Sequence, residues 1–403
     1  MTTLIFAVAA GLGVANIYYA QPLLDAMAGD FGISPAAIGL VVTLTQAGYA
    51  LGLVFIVPLG DLLDRRRLVV GQGLLSTGAL LAVATARSEM VLFAGLAAMG
   101  LFAVVVQVLV AFAAALAVPA ERGRAVGMVT GGIVIGILAA RFVAGLLADL
   151  GGWRTVYLAS AVLTAAMAGL LWRVLPRDPV PAGSGGYGAT LRSIPVLFLG
   201  DRVLLVRGLL SLLVFAAFST LWTSLVLPLG TAPFDYSHTQ IGLFGLAGLA
   251  GAVAATGAGR LADRGLGQRT TGSSLVLLLL SWGLIACLPW SIPLLLAGIV
   301  LLDLAVQAVH VTSQSIIVAR HPEAGSRLIG GYMVFYSIGS ALGAGAATMA
   351  HAHAGWPGVS LLGAAFGTAA LLAWAATLRL PAGTGDAAAA GRESCRNSSA
   401  SAG

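Results

Sequence analysis

Lysine is absent from this 403-residue chain, and all 21 basic residues are arginine. Without lysine there is no G-x-x-x-x-G-K-[ST] phosphate loop and no amine for a Schiff base with retinal or pyridoxal phosphate. ATP hydrolysis through that loop and both cofactor chemistries are excluded. Charge of either sign is scarce, at 9% of residues against 59% hydrophobic ones. A soluble globule of this length needs more charge to clothe its surface. Cys287 lies in an apolar run and Cys395 in a polar tail, so no disulfide framework is expected. There is no H-E-x-x-H pattern, and His238, His310, His321, His351 and His353 are too scattered for a metal cluster. His351 and His353 read best as part of a solvated loop. No cofactor or metal is expected.

What fills the chain is apolar sequence. A helix needs about 20 apolar residues to cross a hydrocarbon core roughly 30 Å thick. Twelve such stretches are legible, near 3–23, 36–59, 68–86, 90–118, 126–148, 155–174, 205–229, 239–258, 270–287, 293–318, 327–350 and 358–378. The opening MTTLIFAVAAGLG lacks the basic n-region of a cleaved signal and is read as the first span, retained. The expected fold is an all-α membrane protein of twelve transmembrane helices.

Arginine gathers in alternate gaps. With a cytoplasmic N-terminus, 18 of the 21 arginines fall at the inner side, from Arg65, Arg66 and Arg67 through Arg207 to Arg396. Arg87 and Arg154 fall outside and Arg141 within a span. The positive-inside rule therefore places both termini in the cytoplasm. The formal charge of +6 follows from this topology and from contact with anionic lipid, not from binding nucleic acid.

The stretch from Pro176 to about Arg202, rich in proline and glycine, divides the spans six and six. The expected organisation is an N-terminal six-helix bundle (1–175), a cytoplasmic linker (176–204), a second bundle (205–380) and a disordered tail (381–403). The halves echo one another. Gly152-Trp153 after the fifth span matches Gly355-Trp356 after the eleventh, each 28 residues beyond an arginine, Arg124 and Arg327. Gly60-x-x-x-Asp64-Arg65 after the second span matches Gly259-x-x-x-Asp263-Arg264 after the eighth.

Two six-helix halves related by an axis along the membrane normal are an architecture of secondary transporters. With the loops GDLLDRRR (60–67) and GRLADRGLG (259–267), the chain resembles the major facilitator superfamily over about residues 1–380. The first copy departs from that family's pattern, with Arg66-Arg67 where a glycine follows Asp-Arg. NIYYAQPLL (16–24), TQAGYALGL (45–53) and PLGDLLDRRRLV (58–69) are similar to the twelve-span drug:proton antiporter-like branch of bacterial exporters. The Gly-Pro pair of the antiporter fifth-span motif is replaced by GILAARFVAG (136–145). The resemblance implies two pseudo-symmetric bundles in a bacterial inner membrane. It also implies that Gly60, Asp64, Arg65, Gly259, Asp263 and Arg264 act as a conformational latch at the inner face.

Ionisable groups within spans cost about 2.5–3.5 kcal/mol each and mark pathways or partners. Arg141 in the fifth span and Asp303 in the tenth are both roughly 12–15 Å below the outer ends of their helices at 1.5 Å per residue. They are expected to pair across the halves in at least one state, or to share a buried water site; a static pair that only fixes packing is the competing reading. Asp303, Gln307, His310 and Gln314 follow an i, i+4, i+7, i+11 pattern on one stripe, which should face a water-filled cavity. Asp303 and His310 are the natural proton carriers of that stripe. The repeat offset places Gln107 of the fourth span opposite His310. Further cavity candidates are Asn16, Gln21, Gln46, Trp222, Tyr332 and Tyr336. Gly131, Gly132, Gly136, Gly339, Gly343 and Gly345 are read as permitting close helix packing.

The leading functional reading is a monomeric secondary transporter exporting a small organic solute in exchange for protons. A proton-coupled importer or facilitator, of a sugar or nucleoside for example, is the alternative within the class, and a membrane sensor on a transporter scaffold lies outside it. No nucleophile and base recur at a helical spacing, so an enzyme is not expected.

Overall fold

The computed structural model describes residues 2–118, 121–176, 186–248, 257–258, 261, 266–320 and 325–378, and among them every regular element is helical. The first bundle comprises α1 (Thr2–Tyr18), α2 (Leu24–Phe31), α3 (Leu40–Phe55), α4 (Arg65–Ala84), α5 (Glu89–Ala103), α6 (Val105–Leu116), α7 (Arg122–Gly151) and α8 (Trp153–Val174). Then come α9 (Tyr187–Gly200), α10 (Arg202–Ser224), α11 (Val226–Leu229), α12 (His238–Leu243), α13 (Gly267–Ile285), α14 (Ile292–Arg320) and α15 (Gly325–Leu378).

Nine stretches among the described residues are long and apolar enough to cross a bilayer. One of them, Leu328–Thr377, is 50 residues long and breaks at Gly355 (φ 59°, ψ −154°), so it crosses twice. The expected ninth span is α13, a helix of 19 residues whose first eight, GQRTTGSS, dilute its hydropathy. The expected eighth span begins with α12 and a 3-10 turn to Gly248; most of its remainder lies outside the described residues. The fold is the two-bundle, twelve-helix arrangement expected from the sequence. Leucines and valines such as Leu74, Val162 and Leu361 stand exposed on its flanks, where lipid replaces water.

Local chemistry sets the helix ends. Asp64 caps α4, accepting from the Arg66 and Arg67 backbone N–H groups at 2.9 and 3.3 Å, and Ser237 forms a capping box with Gln240 at α12. Gly152 and Gly355 both adopt positive φ, 80° and 59°, and each turns the chain between adjacent spans. The following tryptophans have matching jobs: Trp153 Nε1 donates to Asp30 Oδ2 (2.8 Å) and Trp356 Nε1 to the Ile285 carbonyl (2.9 Å). The glycine-tryptophan echo read from sequence is thus the same turn made twice.

Each bundle also has a seam where two backbones touch. A Cβ on Gly132 or Gly136 of α7 would sit 2.2 Å from the Ala7 carbonyl oxygen or 2.4 Å from that of Gly11 in α1. On Gly339 or Gly343 of α15 it would sit 2.0 Å from the Leu212 oxygen or 2.2 Å from that of Ala216 in α10. These are paired small-xxx-small contacts. Gly131 takes no part, since nothing lies within 4 Å of its Cβ position, and Gly345 meets the Thr43 hydroxyl instead.

One region gains structure and two expectations are corrected. The linker region carries a helix, α9, which tolerates Pro195 inside it and ties to α3 where Tyr187 Oη donates to the Phe55 carbonyl (2.8 Å). Arg207, grouped with the loop arginines, lies within α10, buried, with Nη1 donating to Thr271 Oγ1 (2.8 Å). His351 and His353 belong to the helix before Gly355 rather than to a loop, and His353 Nδ1 reaches the Met349 carbonyl at 2.8 Å.

Candidate functional site: buried charges between two bundles

Two buried charges, Arg141 and Asp303, come together where α7 of the first bundle faces α10 and α14 of the second. Arg141, 3% exposed, extends from α7. Its Nε donates to Gln21 Oε1 (2.7 Å), its guanidinium lies 3.9 Å from the ring centroid of Trp222, and the rings of Tyr18 and Phe218 stand at 5.0 and 5.7 Å. Its Nη2 is buried without a hydrogen-bond partner. Asp303, 5% exposed, accepts a long hydrogen bond from Trp222 Nε1 at 3.4 Å.

Arg141 and Asp303 form no ion pair in this conformation; the indole of Trp222 stands between their roles. It offers its electron-rich face to the cation and its edge N–H to the carboxylate. The sequence located both charges but not this arrangement, because depth along two helices fixes height and leaves azimuth open. A small cavity of about 10 Å³, roughly one water in size, is walled by Gln21, Pro22, Arg141, Trp222, Leu225, Val226 and Ile241.

Below this group the polar stripe of α14 continues. Gln307, His310 and Gln314 are half-buried. Gln314 Nε2 lies 3.0 Å from His310 Nε2 and Tyr332 Oη 3.1 Å from His310 Nδ1. An amide nitrogen only donates, so His310 Nε2 accepts and its ring proton sits on Nδ1, directed at Tyr332. Tyr336 joins the two bundles, its hydroxyl 2.6 Å from that of Tyr18. Gln107, in the repeat position of His310, donates from Nε2 to Tyr49 Oη (3.2 Å).

Not every candidate faces this interface. Asn16 accepts from Ser160 Oγ (2.6 Å) and lines a narrow void inside the first bundle with Gly73, Ser76 and Thr164. Gln46 is buried, with an Oε1 that has no partner. Of the latch residues, Arg65 Nε donates to the Gly60 carbonyl (3.0 Å) beside the Asp64 cap, whereas Gly259, Asp263 and Arg264 lie outside the described residues.

Sequence reasoning named Trp222 but missed Phe215 and Phe218, which form an aromatic ladder with it on α10. Phe215 packs 4.2 Å from Tyr336 and 5.2 Å from His310, centroid to centroid. Its i, i+3, i+7 spacing was the available signal. It also missed how the bundles close at the end with few arginines. There His238 of α12 meets Asp25 and Asp149, each at 3.1 Å, and Thr239 donates from its backbone N–H (2.9 Å) and hydroxyl (2.6 Å) to Asp149 Oδ2. Thr43 Oγ1 donates to the Ala341 carbonyl and Thr348 Oγ1 to that of Ala36, both at 3.0 Å. Gly145 lets the His238 carbonyl approach, 2.1 Å from where its Cβ would stand. Asp25, Asp149 and His238 all fall at arginine-poor ends of their spans, which is the signal that was there to find.

The family model of the Major Facilitator Superfamily matches residues 3–264 and 208–397. The chain is 48% identical over 370 residues to the "Putative uncharacterized transporter YgaY" of Escherichia coli (strain K12), covering 92% of this chain and 94% of that protein. It is 34% identical over 385 residues to the "Probable transporter SCO4007" of Streptomyces coelicolor, covering 94% and 87%. Among solved structures it is similar to a bacterial homologue of the human lysosomal transporter Spinster in an inward-facing and occupied conformation. There the TM-score is 0.75 at 14% identity, over 93% of this chain and 95% of that one. The chain belongs to the Major Facilitator Superfamily, and it is a multi-pass membrane transporter, not an enzyme.

Proposed function

We propose that this transporter exports a small organic solute in exchange for protons by alternating access, as a monomer in a bacterial inner membrane. In this reading the arginine-rich end and both termini are cytoplasmic, the bundles are residues 1–175 and 205–380, and 176–204 links them. The observation that carries it is Asp303, a carboxylate buried between the bundles whose guanidinium neighbour is held off it on the face of Trp222. A carboxylate left with one long hydrogen bond binds either a proton or a donor group of the solute, and competition between the two is what exchange requires.

His310, joined to Tyr332 and Gln314, is the second proton carrier. Gln107, Gln307, Gln314, Tyr332, Tyr336 and the α10 ladder receive the solute. The contacts at the arginine-poor end are those of the state closed to the outside, consistent with a cycle in which these contacts break and the inner end closes. Asp64 and Arg65, with Gly60, and their counterparts Gly259, Asp263 and Arg264 form the inner latch.

The test is solute-induced collapse of an inside-acid pH gradient in everted vesicles, screened over drugs, sugars, nucleosides and amino acids, with Asp303→Asn alongside. A solute that releases protons through the wild type and not through the variant supports exchange at Asp303. Equilibration of a labelled solute with no effect on the gradient sinks proton coupling and leaves a facilitator.

A further inference from the structure

His238 stands at the first turn of α12 and touches two elements of the opposite bundle. Its Nε2 lies 3.1 Å from Asp25 Oδ1 on α2, and its Nδ1 lies 3.1 Å from Asp149 Oδ1 on α7. An ionised carboxylate only accepts hydrogen bonds, whereas a neutral imidazole has a single N–H to give. Carboxylates on both ring nitrogens therefore call for two donors, which only the imidazolium supplies. The hydrogen bond that the ring gives to Asp25 is the largest influence and raises the His238 pKa above its ordinary value; burial opposes it, and the remaining effects of Asp25 and Asp149 raise it further.

The surroundings make this contact a joint between bundles. Asp149 is fixed independently of the ring, since it also accepts from the backbone N–H groups of His238 (3.2 Å) and Thr239 (2.9 Å). Asp30, further along α2, is engaged elsewhere by Trp153 and Arg154, so Asp25 and Asp149 are the charged groups facing His238 among the described residues. One turn on, a Cβ at Gly242 would stand 2.5 Å from the Arg141 carbonyl oxygen, so the backbone of α12 rests directly on α7 beside the buried charge site. The His238 side chain is 25% exposed, open to protons from the solution at that end.

We propose that His238 is a proton-binding site of the outer gate, loaded from the outer solution and separate from Asp303, whose proton holds the two bundles closed. The inference rests on the alternating-access reading and its orientation, but not on Asp303 carrying protons. When the bundles part, the imidazole leaves both carboxylates and returns to ordinary histidine behaviour, near pKa 6.5. A group bound more tightly to its proton in the closed state stabilises closure fully below that value, and the stabilisation is lost as pH rises through the raised one. Between the two values the closed-to-open ratio changes by up to about tenfold per pH unit. Acid outside thus favours sealing the outer end, and alkali favours opening it.

The experiment measures distances between spin labels at Ser34→Cys and Trp290→Cys, exposed positions beyond the outer ends of the two bundles. The background is Cys287→Ser and Cys395→Ser, the chain is held in lipid nanodiscs without solute, and pH spans the imidazole range of about 5 to 8. The expected result is a longer-distance population that grows with pH in the wild type and in Asp303→Asn, but is present at every pH, without slope, in His238→Gln. A slope in His238→Gln equal to the wild type, a slope abolished by Asp303→Asn alone, or no slope in the wild type overturns the proposal. The readout needs no transport, so failure of proton exchange at Asp303 leaves it intact and the two failures are told apart.

Discussion

Arg141 lies over the face of Trp222 at 3.9 Å while Trp222 donates its edge N–H to Asp303 at 3.4 Å, so one indole contacts both buried charges, which form no ion pair with each other. Trp222→Phe preserves a face for the guanidinium and removes the N–H. Trp222→Ala removes both and about 3–5 kcal/mol of packing. In a thermal-unfolding assay the alanine variant should fall well below the phenylalanine variant. Under the exchange reading both should lose proton-driven transport, and only the phenylalanine variant should still bind solute.

The glycine seams give opposite outcomes for neighbouring positions. Gly132→Ala sets a methyl 2.2 Å from the Ala7 oxygen, and Gly339→Ala sets one 2.0 Å from the Leu212 oxygen. Both should destabilise by at least about 1–3 kcal/mol, because backbone cannot move aside as a side chain can. Gly131→Ala meets open space and, within a helix, should be neutral or stabilising by up to about 1 kcal/mol. Melting curves in detergent separate the three variants, and equal effects at Gly131 and Gly132 would sink the seam.

The gate aspartates should differ in weight. Asp149 accepts from two backbone N–H groups, the Thr239 hydroxyl and the His238 ring, whereas Asp25 meets the ring alone among the contacts described. Asp149→Asn should open the outer end more than Asp25→Asn in the spin-label measurement. Asp25→Asn should shift the pH at which opening occurs downward, since it removes the largest influence that raises the His238 pKa. A larger opening in Asp25→Asn would contradict this order.

Much of this molecule was legible before any coordinate. Span number, the six-and-six division and the glycine-tryptophan turns follow from apolar length and from backbone positions that only glycine occupies easily. Arg141 and Asp303 were legible as rare charges in an apolar run. What stayed hidden was rotation about helix axes. Gln21 was one amide among several until its contact with Arg141 fixed which way α7 faces. Asn16, just five residues earlier, turned out to face Ser160 inside its own bundle. The joint at His238 was hidden for a different reason, because it brings together three residues 25, 149 and 238 positions along the chain that share no motif.

Asp64 separates two meanings of the inner loop signature. Its side chain caps α4 by accepting from the Arg66 and Arg67 N–H groups, which needs an oxygen and no charge. Asp64→Asn keeps that oxygen and removes the charge, whereas Asp64→Ala removes both and should cost about 0.5–2 kcal/mol of stability. If the residue only ends a helix, Asp64→Asn should match the wild type in stability and transport, and Asp64→Ala should be the impaired variant. If its charge latches the inner face, Asp64→Asn should melt like the wild type yet transport poorly, with cavity cysteines more reactive from the cytoplasmic side. The latch reading expects the second pattern, and transport by Asp64→Asn at the wild-type rate would reduce the signature to a helix cap.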